Sequence, residues 1–100
     1  MIALGCEING LVERSVIGCN VVVEKGAVVR DSVIMANTVV KSGATVNYSI
    51  VDENVVIHSA TVGEAKETAT GIAVLGRGIT IGDGVTVKGG EILDKDVKGE

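Results

Sequence analysis

His58 is the only histidine in this 100-residue chain and the first side chain to consider for chemistry. A single imidazole can act as a general base, but one histidine cannot build a three-histidine metal site within one chain. Cys6 and Cys19 are the two thiols. A nucleophilic thiol needs a nearby base or a positive site to lower its pKa, and the sequence supplies neither. The stretch LGRGITIGDG, 75–84, is glycine-rich enough to suggest a phosphate cradle. It contains no GxGxxG and no GxxxxGK[ST], and no helix follows to offer its N-terminus. Lys66, Arg77, Lys88, Lys95 and Lys98 are the basic residues of the C-terminal part. Scattered basics are ordinarily solvated surface, though a few on neighbouring corners could grip a sugar phosphate or nucleotide phosphate.

The composition limits what these groups can serve. A net charge of −4 and a pI near 4.9 argue against nucleic acid as a partner, because phosphate binding needs clustered Lys and Arg. No run of about 18 apolar residues predicts a membrane span, and MIALGCEING lacks the basic start and long apolar stretch of a signal peptide. The two cysteines form neither a metal spacing nor a disulfide framework, so a reduced cytoplasmic setting is expected. Hydrophobic residues make up 46% of the chain, yet Tyr48 is the sole aromatic. The core must therefore come from stacked aliphatics. With 14 Gly and no Pro, turns fall to residues that tolerate positive φ.

What would position these residues is a 17-residue repeat. Residues 12–28 read VERSVIGCNVVVEKGAV, 29–45 read VRDSVIMANTVVKSGAT, and 46–62 read VNYSIVDENVVIHSATV. Three aliphatic columns result: Val12, Val29 and Val46; Ile17, Ile34 and Val51; and Val23, Val40 and Ile57. Two positions before each stands a smaller or branched residue, such as Ser15, Ser32 and Ser49 before the second column. Steps of five, six and six residues describe a triangular coil in which each hexapeptide supplies one short strand and one corner. The expected fold is all-β: a parallel β-helix of hexapeptide repeats with 17-residue coils, about five in number. Asn20, Asn37 and Asn54 mark one corner, and Gly26, Gly43 and Ala60 another, with Asn9 in the partial first coil. Asn and Gly enter the left-handed region at least cost. The five-residue corner has no such residue and is expected to be tight without one.

In this frame His58 aligns with Glu24 and Lys41 on an outward face, and Cys6 falls in the third inward column. Cys19 aligns with Ala36 and Glu53 at an exposed corner. The serine ladder points inward, where hydroxyls bond backbone. The glycines of 75–84 fall on corners the coil already requires. No catalytic group, metal ligand or cofactor site emerges.

The rhythm breaks once. It resumes at Leu75, Ile81, Val87 and Ile92, with Gly78 and Gly84 at corners, so seven extra residues lie in GEAKETATG, 63–71, read as a loop. EILDKDVKGE, 91–100, gains charge as a terminal cap would. Residues 1–100 thus read as one β-helix domain. Its first coil is partial, and an open strand edge there calls for a covering partner or a preceding segment.

GCEINGLVERSVI and KGAVVRDSVIM, followed by YSIVDENVVI, resemble the C-terminal domain of bacterial glucose-1-phosphate adenylyltransferase (ADP-glucose pyrophosphorylase). Within it they are most similar to the non-catalytic, regulatory partner subunit of glycogen biosynthesis. The likeness covers residues 4–98 and implies a left-handed helix. It also implies a domain that transfers no nucleotide itself, since the catalytic loop of that family lies in an N-terminal domain. The β-helix there supports association with other subunits of the same enzyme, as a homo- or hetero-oligomer, and frames a site for a sugar-phosphate effector. The family's effector contacts follow no motif found here; Lys66, Arg77 and Lys88 are the effector-binding candidates. The rival readings are a trimeric hexapeptide-repeat acyltransferase with His58 as base, and a free-standing structural β-helix module.

Overall fold

Alternating aliphatics separated by five or six residues allow only short strands, and short strands are what form. The computed structural model describes residues 5–64 and 71–97. The first coil holds β1 (Glu7–Ile8), β2 (Leu11–Glu13) and β3 (Val16–Ile17). The second holds β4 (Val22–Val23), β5 (Val28–Arg30) and β6 (Val33–Ile34). In the third are β7 (Val39–Val40), β8 (Thr45–Asn47) and β9 (Ser49–Val51). The fourth comprises β10 (Val56–Ile57), β11 (Thr61–Val62) and β12 (Ala73–Leu75), and the fifth β13 (Thr80–Ile81), β14 (Thr86–Val87) and β15 (Ile92–Leu93). Every strand pairs in parallel with its equivalents one coil away. Three five-stranded sheets therefore line the three sides: β1-β4-β7-β10-β13, then β2-β5-β8-β11-β14, then β3-β6-β9-β12-β15. These are the first, second and third sheets below. The described residues contain no helix.

The core is the set of columns expected from the repeat. Val23 pairs with Val40, Val29 with Val46, and Ile17 with Ile34, each on its equivalent in the next coil. Ile17, Val23, Val29, Val40, Val46, Val51 and Ile57 are fully buried, and Leu75 and Ile81 continue the columns at 0% exposure. Each such side chain contributes about 1.5–3 kcal/mol relative to an exposed one, which is how a core forms without aromatics. After the break, Val51 pairs with Leu75, an offset of 24 in place of 17, as seven inserted residues require. The proposed 63–71 loop has residues 65–70 outside the described residues.

Four expectations need correction. First, the five-residue corner does use left-handed residues: Arg14 (φ 46°), Asp31 (φ 51°) and Tyr48 (φ 47°). The following serine makes this tolerable. The Ser15, Ser32 and Ser49 hydroxyls each donate to the carbonyl two residues earlier, on Glu13, Arg30 and Asn47, at 2.7 Å. Each bond spans the left-handed residue and holds the chain around it. Second, Ile8 and not Cys6 pairs with Val23 in the third column. Cys6 lies two residues earlier, where its Sγ–H donates to the Gly18 carbonyl at 2.9 Å. The first step, from Ile8 to Val12, is therefore only four residues, and Asn9 is not a positive-φ corner. Third, Thr61 pairs with Thr45, so Ala60 turns inward at 4% exposure and does not occupy the corner. Fourth, Leu93 and not Ile92 pairs with Leu75. The last coil takes six residues at this corner, turning at Gly90 (φ 84°), and Ile92 is left 75% exposed. The other corners are as expected, with Asn20, Asn37, Asn54, Gly26, Gly43, Gly78 and Gly84 all at positive φ.

Candidate functional site

The coil geometry distributes the reactive side chains over different walls. His58 is half-buried on the outside of the first sheet, in line with Glu24 and Lys41. Its amide donates to the Ile81 carbonyl at 2.9 Å, and its imidazole makes no hydrogen bond to a described residue. Cys19 is exposed at the corner after the third sheet, and its carbonyl accepts from the Asn37 amide at 3.0 Å. The two thiols are free. Among the described residues no three His, Cys, Asp or Glu side chains are grouped to hold a metal ion. No helix among them is long and apolar enough to cross a membrane.

The serines are occupied structurally. Ser32 N–H donates to Ser15 Oγ at 3.1 Å, and Ser49 N–H to Ser32 Oγ at 3.2 Å. The Ser15 and Ser32 hydroxyls thus both donate and accept inside the wall, and the Ser49 hydroxyl donates to the Asn47 carbonyl. Thr38 does the same in another column, donating to the Asp52 carbonyl at 2.9 Å. The glycines of 75–84 serve the turns: Gly78 and Gly84 stand at φ 76° and 77°.

Of the effector candidates, Lys66 lies outside the described residues. Arg77 sits at the corner that follows the third sheet, with its Nε 3.9 Å from Glu53 Oε1. Lys88 is exposed at the corner that precedes that sheet, where its amide donates to Glu91 Oε1 at 2.9 Å. The two cations thus flank one sheet from opposite corners. A shallow open groove elsewhere, on the outside of the first sheet, is lined by Glu7, Asn9, Val22, Glu24, Lys25 and Ser42.

Two surface features were not expected. One is a crossed charge quartet at the tight corner. Arg14 Nε meets Asp31 Oδ1 at 2.7 Å, and Arg30 Nε meets Glu13 Oε1 at 2.7 Å. The sequence signal was present, because ER at 13–14 is followed 17 residues later by RD with the signs exchanged. Pairs this accessible to solvent are worth about 0–1 kcal/mol each. The other is the outer column of the third sheet: Val16, Val33, Ile50, Val74 and Ile92, aligned strand to strand. Each immediately precedes an inward aliphatic, giving the doublets VI, VI, IV, VL and IL. The first sheet instead presents Glu7, Val22, Val39, Val56 and Thr80. The second presents Leu11, Val28, Thr45, Thr61 and Thr86. Among the three walls, only the third is aliphatic from end to end.

Among the described residues the walls hold His58, Cys19, Arg77 and Lys88 at separate places on the coil. Residues 2–99 match the family model described as the GMPPB C-terminal domain, a sugar nucleotidyltransferase-related β-helix domain. No curated protein and no solved structure matches the chain.

Proposed function

The chain belongs to the GMPPB C-terminal domain family, and from that premise we propose that it is the association and regulatory β-helix of a glucose-1-phosphate adenylyltransferase of glycogen biosynthesis. The observation that carries the reading is the near-complete match of a wall-like β-helix to a domain of the sugar nucleotidyltransferase kind. The likeness of GCEINGLVERSVI and KGAVVRDSVIM to the regulatory partner subunit supports the finer assignment. In this reading residues 1–100 form one cytoplasmic domain, with a loop at 63–71 and a cap at 91–100. It assembles with other subunits of the same enzyme. A sugar-phosphate effector is held by cations drawn from Lys66, Arg77 and Lys88. The chain itself transfers no nucleotide.

The test has two readouts. Purified chain is incubated with ATP and glucose-1-phosphate, and pyrophosphate release is followed; none is expected, and ADP-glucose formation refutes the non-catalytic assignment. Tagged chain is then used to capture its partner from source cells, and the captured complex is supplied with a panel of nucleoside triphosphates and hexose 1-phosphates. ADP-glucose is the expected product. A different nucleotide sugar refutes the adenylyltransferase assignment while keeping the association role.

A further inference from the structure

The first coil passes from its first strand to its second by a shortcut. Ile8 to Val12 is four residues, where the equivalent Val23 to Val29 of the second coil is six. Glycine at position 10 makes this possible: a Cβ there would lie 2.5 Å from the Ala27 carbonyl oxygen and 2.6 Å from that of Glu24. Two residues short, the first coil leaves the second coil's turn 24–27 partly uncovered. The shallow groove outside the first sheet opens at that place, with Asn9, Glu24, Lys25 and Ser42 among its walls.

This turn is one of three built alike. In 24–27, 41–44 and 88–91 the fourth residue's amide donates to the first residue's carbonyl, at 3.0, 3.1 and 3.2 Å, and the third residue is a glycine at positive φ. That closure does not use the N–H of the second residue, which needs a partner from elsewhere. In two of the turns a glutamate of the preceding coil supplies it. Glu24 Oε1 accepts the Ser42 N–H at 3.0 Å, and Glu64 Oε1 accepts the Gly89 N–H at 3.2 Å. In the turn 24–27 the Lys25 N–H makes no hydrogen bond to a described residue. One coil before Glu24, in its register, stands Asn9, whose exposed side chain makes none to a described residue either. The turn is otherwise held, since the Lys25 carbonyl accepts from Ser42 Oγ–H at 2.7 Å.

We infer that the turn 24–27 is a binding site for a carboxylate from outside the chain. Its oxygen accepts the Lys25 N–H, as Glu24 and Glu64 do in the sister turns, and its charge is met by the exposed Lys25 ammonium. The groove's own carboxylates are placed elsewhere: Glu24 is bonded to Ser42 of the third coil, and Glu7 stands back on β1 in register with Val22. Two sources carry the group, a small organic acid and an Asp or Glu side chain of another polypeptide, and the chemistry at Lys25 is the same for both.

The experiment follows the backbone amides of the isotope-labelled chain by NMR during titration with sodium acetate, with sodium chloride at equal ionic strength as reference. The Lys25 amide should shift downfield and saturate, while the Ser42 and Gly89 amides, already bonded to carboxylates, stay in place. Asn9→Glu sets a carboxylate in the register from which Glu24 reaches Ser42. In that variant the Lys25 amide should start in the shifted position, and acetate should bind at least about tenfold more weakly, the worth of one charge-assisted hydrogen bond. Asn9→Gln, which lengthens the side chain without the charge, should bind acetate as the wild type does. A blocked glutamate, N-acetylglutamate N-methylamide, separates the sources: tighter binding than acetate supports a polypeptide side chain, and equal or weaker binding supports a small acid. A Lys25 amide that moves no more in acetate than in chloride, or acetate binding undiminished in Asn9→Glu, overturns the inference.

Discussion

Replacing Ser32 by alanine tests whether the buried hydroxyls hold the tight corner. Ser32 is 3% exposed; its Oγ–H donates to the Arg30 carbonyl at 2.7 Å and its Oγ accepts the Ser49 amide at 3.2 Å. The first bond fastens the chain across Asp31, which stands at φ 51°. Its loss costs about 1 kcal/mol, and the Ser49 N–H left without an acceptor in a dry wall costs a further 1–3 kcal/mol or so. The expected total is about 2–4 kcal/mol, a fall in Tm of about 8 °C or more for a chain of this length. Urea and thermal unfolding followed by far-UV circular dichroism measure it. Ser42→Ala is the control, since Ser42 Oγ makes a similar bond to the Lys25 carbonyl at 2.7 Å but at an exposed site. It should cost under about 0.5 kcal/mol. Ser15→Ala should fall between the two, because Ser15 is the more exposed rung at 9%. A Ser32→Ala variant no less stable than Ser42→Ala would refute the argument that these hydroxyls sustain the left-handed corner.

Gly63 stands at φ 75°, and a Cβ there would collide with the Asn47 carbonyl oxygen and lie 2.5 Å from Ser49 Oγ. Gly63→Ala should therefore cost at least about 2 kcal/mol by chemical denaturation, whereas Gly78→Ala, with φ 76° but nothing within 4 Å, should cost only about 1 kcal/mol. The last coil separates adjacent residues: Leu93→Ala removes a side chain packed against the core and should destabilise by about 1–2 kcal/mol, while Ile92→Ala should change the unfolding of the monomer by under about 0.5 kcal/mol. Equal effects would contradict the six-residue corner.

The residues show where reading the chain alone succeeds. Val29, Val46, Ile34 and Val40 repeat at 17 because each must lie on its equivalent, and a period is a purely sequential quantity. Asn37 and Gly43 marked their corners because their identities advertise a left-handed backbone. Asp31 and Tyr48 advertise nothing of the kind. They adopt the same conformation because the next serine bonds back across them, and that geometry appears only once the wall is built. Where the repeat is irregular, one residue decides between inward and outward, as with Ile92 against Leu93. Both members of that doublet are apolar enough to serve.

A 17-residue aliphatic period is already enough to imply a three-sided parallel coil. The sequence also held the doublets VI, VI, IV, VL and IL, although hydrophobicity alone does not say which member faces water. The tertiary structure decided that. Strand pairing fixes the register, register fixes which Cβ points inward, and only then do Val16, Val33, Ile50, Val74 and Ile92 align as one outward column of the third sheet.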